Sequence, residues 1–182
     1  MPRLYIISGC NGAGKTTASY SLLPEMLDCK EFVNSDEFAK SLSPFDPSKA
    51  SIQASRYMLM KIQYLLRRQQ DFAIETTLAT RTLLKTVKRA QAAGYTVTLL
   101  YFWLNSPEMA VERVRARVEA GGHNIPEDTI RQKSLQTRHY CGKTVQMFQQ
   151  HLNGLKHRLI IQTGLRSRIL FVMVAITTTW RG

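Results

Sequence analysis

Residues Gly9-Cys10-Asn11-Gly12-Ala13-Gly14-Lys15-Thr16 fit the phosphate-loop pattern G-x-x-x-x-G-K-[ST], and nothing else in this 182-residue chain restricts its fold as strongly. The flanks match what that loop requires. Leu4-Tyr5-Ile6-Ile7 has the character of a buried strand, and Thr17-Ala18-Ser19-Tyr20-Ser21-Leu22-Leu23 reads as a helix ended near Pro24. A strand, a glycine turn and a helix in that order converge successive backbone N–H groups on a phosphate chain, with the helix dipole adding positive potential. Gly9, Asn11, Gly12, Ala13, Gly14, Lys15, Thr16 and Thr17 are the nucleotide-binding candidates. Lys15 would reach the β/γ-phosphates and the Thr16 hydroxyl would ligate Mg²⁺.

A chain of this length is most simply one domain with its own core. No charged segment followed by an apolar core opens the chain, and the late apolar run from Ile169 to Ile176 is far shorter than the roughly 20 residues a membrane helix needs. No membrane association is expected. Cys10, Cys29 and Cys141 are odd in number and lack metal-ligand spacing, so free thiols in a reducing cytoplasm are expected.

The formal charge of +12 is unevenly distributed. All 13 acidic residues lie at or before Asp128, against sixteen lysines and arginines there, while nine basic residues and no acid follow. These late basic residues stand singly, without aromatic interleaving, which argues against a nucleic-acid surface.

Along the chain, Glu31-Phe32-Val33-Asn34 reads as a second strand, and Ser48 as the N-cap of a long helix from Ala50 to Arg68. Asp71-Phe72-Ala73-Ile74 reads as a third strand, followed by a helix from Thr80 that Gly94 closes. Tyr95 to Leu104 is almost wholly apolar, as expected of a central parallel strand buried on both faces. Asn105-Ser106-Pro107 starts a further helix, Gly121-Gly122 stops it, and Pro126 with two acids starts another. The alternation predicts an α/β fold with a mainly parallel sheet; joined to the glycine loop it reads as a three-layer P-loop sandwich, and the arginines and glycine pair of 113–122 suit a kinase-like form with a small lid. Residues 1–163 form the expected domain. Residues 164–182, with three arginines and no acid, are expected to be an atypical basic tail, and a remodelled or frame-shifted ending is the hypothesis for it.

A phosphate loop specifies a nucleotide and leaves the chemistry open. Asp36, at the end of the second strand and expected next to where the first strand presents the glycine loop, could take the proton of a substrate hydroxyl, hold Mg²⁺ through water, or cap the segment starting at Glu37. Glu75 ends the third strand and, with Thr76 and Thr77, could bind substrate or simply be solvated. Arg113 and Arg117 lie one helical turn apart, just before Gly121-Gly122-His123-Asn124, with Arg131 beyond. Arginines beside a glycine hinge suit a lid that stabilises transferring charge, although any single one of them could equally lie on a solvated helix face.

Gly9 to Thr16, Val33-Asn34-Ser35-Asp36, Phe72-Ala73-Ile74-Glu75-Thr76-Thr77-Leu78 and Arg117 to Pro126, taken in that order, resemble the zeta-toxin family of P-loop kinases over roughly residues 3 to 140. The resemblance implies phosphotransfer from ATP (or GTP) with Mg²⁺ to a hydroxyl of a small molecule, in characterised members UDP-N-acetylglucosamine. It also implies a small antitoxin as protein partner. It gives Asp36 the role of general base and Glu75 that of substrate-binding carboxylate. Lys15 and Thr16 become phosphate and metal contacts, and Arg117 a phosphate-stabilising arginine. His123 stands where those toxins carry a second lid arginine, and Thr76-Thr77-Leu78-Ala79 replaces their glycine- and arginine-containing turn. A polynucleotide 5′-hydroxyl kinase and a nucleotide-binding regulatory protein without activity are the alternatives, since they share the loop.

Overall fold

A computed structural model describes residues 1–77, 81–102, 104, 106–122, 124–135, 158–166 and 169–178. Its sheet comprises β1 (Arg3–Gly9), β2 (Phe32–Val33), β3 (Phe72–Thr76), β4 (Thr96–Phe102), β5 (Arg158–Arg166) and β6 (Ile169–Thr178). The helices are α1 (Lys15–Ser21), α2 (Ser35–Leu42), α3 (Ser51–Arg67), α4 (Arg81–Ala92), α5 (Pro107–Glu119) and α6 (127–135).

The strand order is β2-β3-β1-β4-β6-β5, with β2, β3, β1 and β4 parallel. β3 therefore lies between β1 and β2. Asp36 and its strand were expected beside the glycine loop; the strand that adjoins it is instead β3, with Ile7 opposite Glu75 and Ser8 opposite Thr76. The chain leaves β1, crosses to the outer position, and returns inward, which creates a switch point at β1 where open α/β sheets bind ligands. The last two strands are antiparallel to their neighbours: β6 runs against β4, and β5 against β6.

Side-chain alternation along the strands makes two cores. Leu4, Ile6, Ile74, Val97 and Leu99 join Ile62 and Leu65 of α3 and Val87 of α4 on one face. Tyr5, Ile7, Leu100 and Phe102 join Ala110, Val111 and Val114 of α5 and Ile130 of α6 on the other. β1 and β4 are thus covered on both sides, which is why they read as nearly continuous apolar runs.

Some local expectations shift. Pro24 sits inside a π-helical turn (Leu22–Met26) that extends α1 instead of ending it. The long helix begins one turn after the expected cap, behind a 3₁₀ turn (Pro47–Ala50), and Ser48 makes no capping bond to it. Ser106 does cap α5, its hydroxyl accepting from the Met109 N–H at 3.1 Å, with Pro107 in the first turn where its missing N–H costs nothing.

Candidate active site

The glycine loop leaves the C-terminal end of β1 and lies against α5. Gly12 has φ +78°, and a Cβ there would fall 2.8 Å from the Ala110 carbonyl oxygen. A side chain at this position would both strain the backbone and push the loop off α5. Arg113 fixes the same contact, its Nη1 donating to the Gly12 carbonyl at 3.3 Å. This predicted lid arginine therefore also braces the phosphate loop.

Lys15 turns back over the loop and donates to the Cys10 carbonyl at 3.0 Å, with Glu75 Oε1 at 3.8 Å. Thr16 Oγ1 lies 2.8 and 3.1 Å from the two Glu75 oxygens and donates to that carboxylate. The Asn34 Nδ2 amide donates to Glu75 Oε2 at 2.9 Å. Glu75 is thus held first of all by loop residues, a placement that β3 dictates by pairing with β1. Thr76 and Thr77 follow it, half-buried.

Asp36 does not cap its helix. Asn34 does, its Oδ1 accepting from the Asp36 N–H at 2.9 Å and the Glu37 N–H at 3.4 Å. The Asp36 side chain is left exposed in the first turn of α2. Among the described residues its carboxylate has no hydrogen-bond partner, yet its charge reaches both Lys15 and Glu75. Asn34 is the site residue to which the sequence reading gave no role. The signal was present: asparagine followed by Ser-Asp-Glu at the start of an amphipathic segment is a favoured cap arrangement.

The charges here sit in a poorly solvated place. Lys15 is 7% exposed and the Glu75 side chain 10%. Burial pushes the Lys15 ammonium below its ordinary value, opposed by the Glu75 and Asp36 carboxylates, while Arg117 lowers it further. Burial likewise raises Glu75, against the pull of Lys15 and the Thr16 hydrogen bond. Folded Glu75 thus binds a proton more readily than unfolded Glu75. Its contribution to stability is greatest below the ordinary value of 4.5 and declines as pH rises from there through the raised value. Glu75→Gln should flatten that decline when melting temperature is followed from about pH 4 to pH 8; parallel curves for the two proteins would contradict it.

Other lid candidates separate. Gly121 (φ +84°) and Gly122 form a Schellman cap on α5: the Gly122 N–H donates to the Arg117 carbonyl at 2.8 Å and the Gly121 N–H to that of Val118 at 2.9 Å. The pair expected to act as a hinge is a helix stop folded closely over Arg117, since a Cβ on Gly122 would lie 2.6 Å from Arg117 Cγ. Arg131 is held by Glu127 at 2.9 Å and Glu108 at 2.8 Å, in a surface network joining α5 to α6. His123 lies outside the described residues, as does Cys141; Cys10 and Cys29 are buried free thiols.

A nucleotide and its metal are implied by this loop, and the residues present fit them. Asn11 Nδ2 is buried without an acceptor among the described residues, and Lys15 is a buried cation without a hydrogen-bonded carboxylate. Both are donors in want of an anion. No group of three or more His, Cys, Asp or Glu among the described residues could hold a metal. A Mg²⁺ ion would take Thr16, directly or through water Glu75, and phosphate oxygens, the few-ligand pattern that ion favours. No described helix is long and apolar enough to cross a membrane.

The sheet order, the loop and the flanking helices define a kinase-type P-loop fold. The chain belongs to the zeta toxin family, whose model matches residues 1–163. It is 32% identical over 124 residues to an uncharacterized protein of Haemophilus influenzae, covering 68% of this chain and 86% of that one. Among solved structures it is similar to a chain of the Pnkp1/Rnl/Hen1 RNA repair complex, with TM-score 0.63, 23% identity, and coverage of 78% of this chain and 46% of that one. It is also similar to a chain from the PezAT chromosomal toxin–antitoxin system of Streptococcus pneumoniae, with TM-score 0.56, 23% identity, and coverage of 66% and 54%. The chain spans about half the length of these two solved structures.

Proposed function

We propose that the protein transfers the γ-phosphoryl group of ATP or GTP, with Mg²⁺, to a hydroxyl of a small metabolite, a UDP-sugar being the leading class. The observation that carries this reading is the meeting of Lys15, Thr16 and Glu75 at the loop, with Asn34 tying that carboxylate to the start of the helix that carries the exposed Asp36. When bound, the nucleotide supplies the phosphoryl group and the metal offsets charge on its oxygens. Lys15 leaves the Cys10 carbonyl to neutralise phosphate. Thr16 keeps its donation to Glu75 and turns a lone pair outward. Asp36 accepts the acceptor hydroxyl's proton, and Arg117, whose charge already reaches Lys15, stabilises charge on the transferred group.

The chemistry is assigned to residues 1–163, and residues 164–182 are read as a remodelled stretch whose β6 joins the same sheet beside β4. Family membership and the likeness to a chain of the PezAT system support an antitoxin protein as partner; the free thiols of Cys10 and Cys29 suit a reducing cytoplasm as the place of action. The likeness to a chain of an RNA repair complex favours one second reading, phosphorylation of a polynucleotide 5′-hydroxyl.

The test is incubation with γ-labelled ATP and Mg²⁺ against UDP-N-acetylglucosamine, other UDP-sugars, free sugars and a 5′-hydroxyl oligonucleotide. Label on a metabolite is the expected result. Label on the oligonucleotide alone would establish the second reading, and label on no acceptor would overturn both.

A further inference from the structure

Asn34 holds the two halves of the site together. It is 6% exposed and uses both ends of its amide. The Oδ1 end accepts from the backbone at the start of α2, the helix that carries Asp36. The Nδ2 end donates to the same Glu75 oxygen that receives the closer contact from Thr16. One side chain therefore connects β2 and α2 to the glycine loop across the intervening strand β3.

We propose that Asn34 is a positioning residue that fixes Asp36 relative to Thr16 and orients Glu75 for metal–nucleotide binding, so that donor and acceptor halves of the site are set by a single amide. A cap alone does not require asparagine, because Ser, Asp and Asn serve about equally in that position. Among these caps asparagine carries its acceptor and its donor on separate atoms, Oδ1 at the helix start and Nδ2 on Glu75, whereas a serine hydroxyl would have to serve both from one shorter arm and an ionised aspartate has no donor. A carboxylate that steadies a metal-binding hydroxyl is in turn steadied by its own hydrogen-bond partner, and removing such outer partners costs roughly 10- to 100-fold in affinity or activity. The proposal rests on the phosphotransfer reading above.

Asn34→Ser keeps an oxygen for the cap but shortens the side chain and loses the separate Nδ2 donor to Glu75; Asn34→Asp keeps the cap with no donor at all, while adding a second carboxylate beside Glu75, and serves if the serine variant does not fold. The readout is binding of a Mg²⁺-loaded, non-hydrolysable ATP analogue by calorimetry, in a cycle of wild type, Asn34→Ser, Glu75→Ala and the double variant. Asn34→Ser should weaken binding roughly 10-fold or more while the melting temperature of the unliganded protein stays close to wild type. In the Glu75→Ala background the same change should cost less than about twofold, because the partner through which it acts is gone. Turnover on whichever acceptor is found should fall with analogue affinity, with acceptor KM little changed. Binding by Asn34→Ser within about twofold of wild type, or losses that simply multiply in the double variant, would overturn the bridge and leave a helix cap. The binding cycle needs no acceptor, so a protein that phosphorylates nothing in the panel defeats the functional reading while the bridge is still decided.

Discussion

Asp36→Asn is expected to lower turnover by roughly 10²- to 10⁴-fold while leaving affinity for a Mg²⁺–ATP analogue within about twofold. The geometry separates these effects. Asp36 makes no capping bond, since Asn34 supplies it, so the substitution leaves the start of α2 intact. It removes one favourable charge from the first helical turn, worth about 0.3–1 kcal/mol, so the melting temperature should barely move. Single-turnover kinetics with the identified acceptor and calorimetry with the analogue measure the two quantities independently. Unchanged turnover would remove Asp36 as the base. Equal losses in turnover and affinity would reassign it to holding the metal through water.

Lys15→Met is expected to cost roughly 10²- to 10³-fold in turnover, the scale for deleting one donor aimed at charge that develops in a transition state. The ammonium is buried, and a buried cation interacts with a bound polyanion with little screening. In the unliganded protein the same change leaves Glu75 as a buried carboxylate without its nearby cation. Stability should therefore fall above the raised Glu75 pKa, and adding Glu75→Gln should restore it without restoring turnover. The stability of the four proteins in urea and their transfer rates test this. Transfer recovered in the double variant would show that Lys15 serves chiefly to balance Glu75.

Much of the architecture follows from local sequence. The glycine loop, its strand and its helix occupy consecutive residues, and their geometry is set by φ/ψ preferences and apolar periodicity within about twenty positions. Ser106-Pro107 likewise announces α5 by itself, because cap and first turn are adjacent in the chain. Gly121-Gly122 was legible as a helix stop, because glycine permits the left-handed residue such a stop needs, whereas its close fold over Arg117 depends on the bonds made around it. Arg131 shows the same limit, since its two carboxylate partners lie on α5 and α6, and their meeting depends on how those helices cross.

Neighbouring residues suffice to announce a phosphate-binding loop between a buried strand and a helix, and to place Asp36 and Glu75 each after a strand. Which carboxylate meets the loop is set by the order of the strands. Strand order is a global choice made by burying two helix layers at once, and no local preference records that β3 enters between β1 and β2. That choice sets Glu75 on Thr16 and Lys15, moves Asp36 one strand outward, and leaves the gap that the Asn34 amide spans.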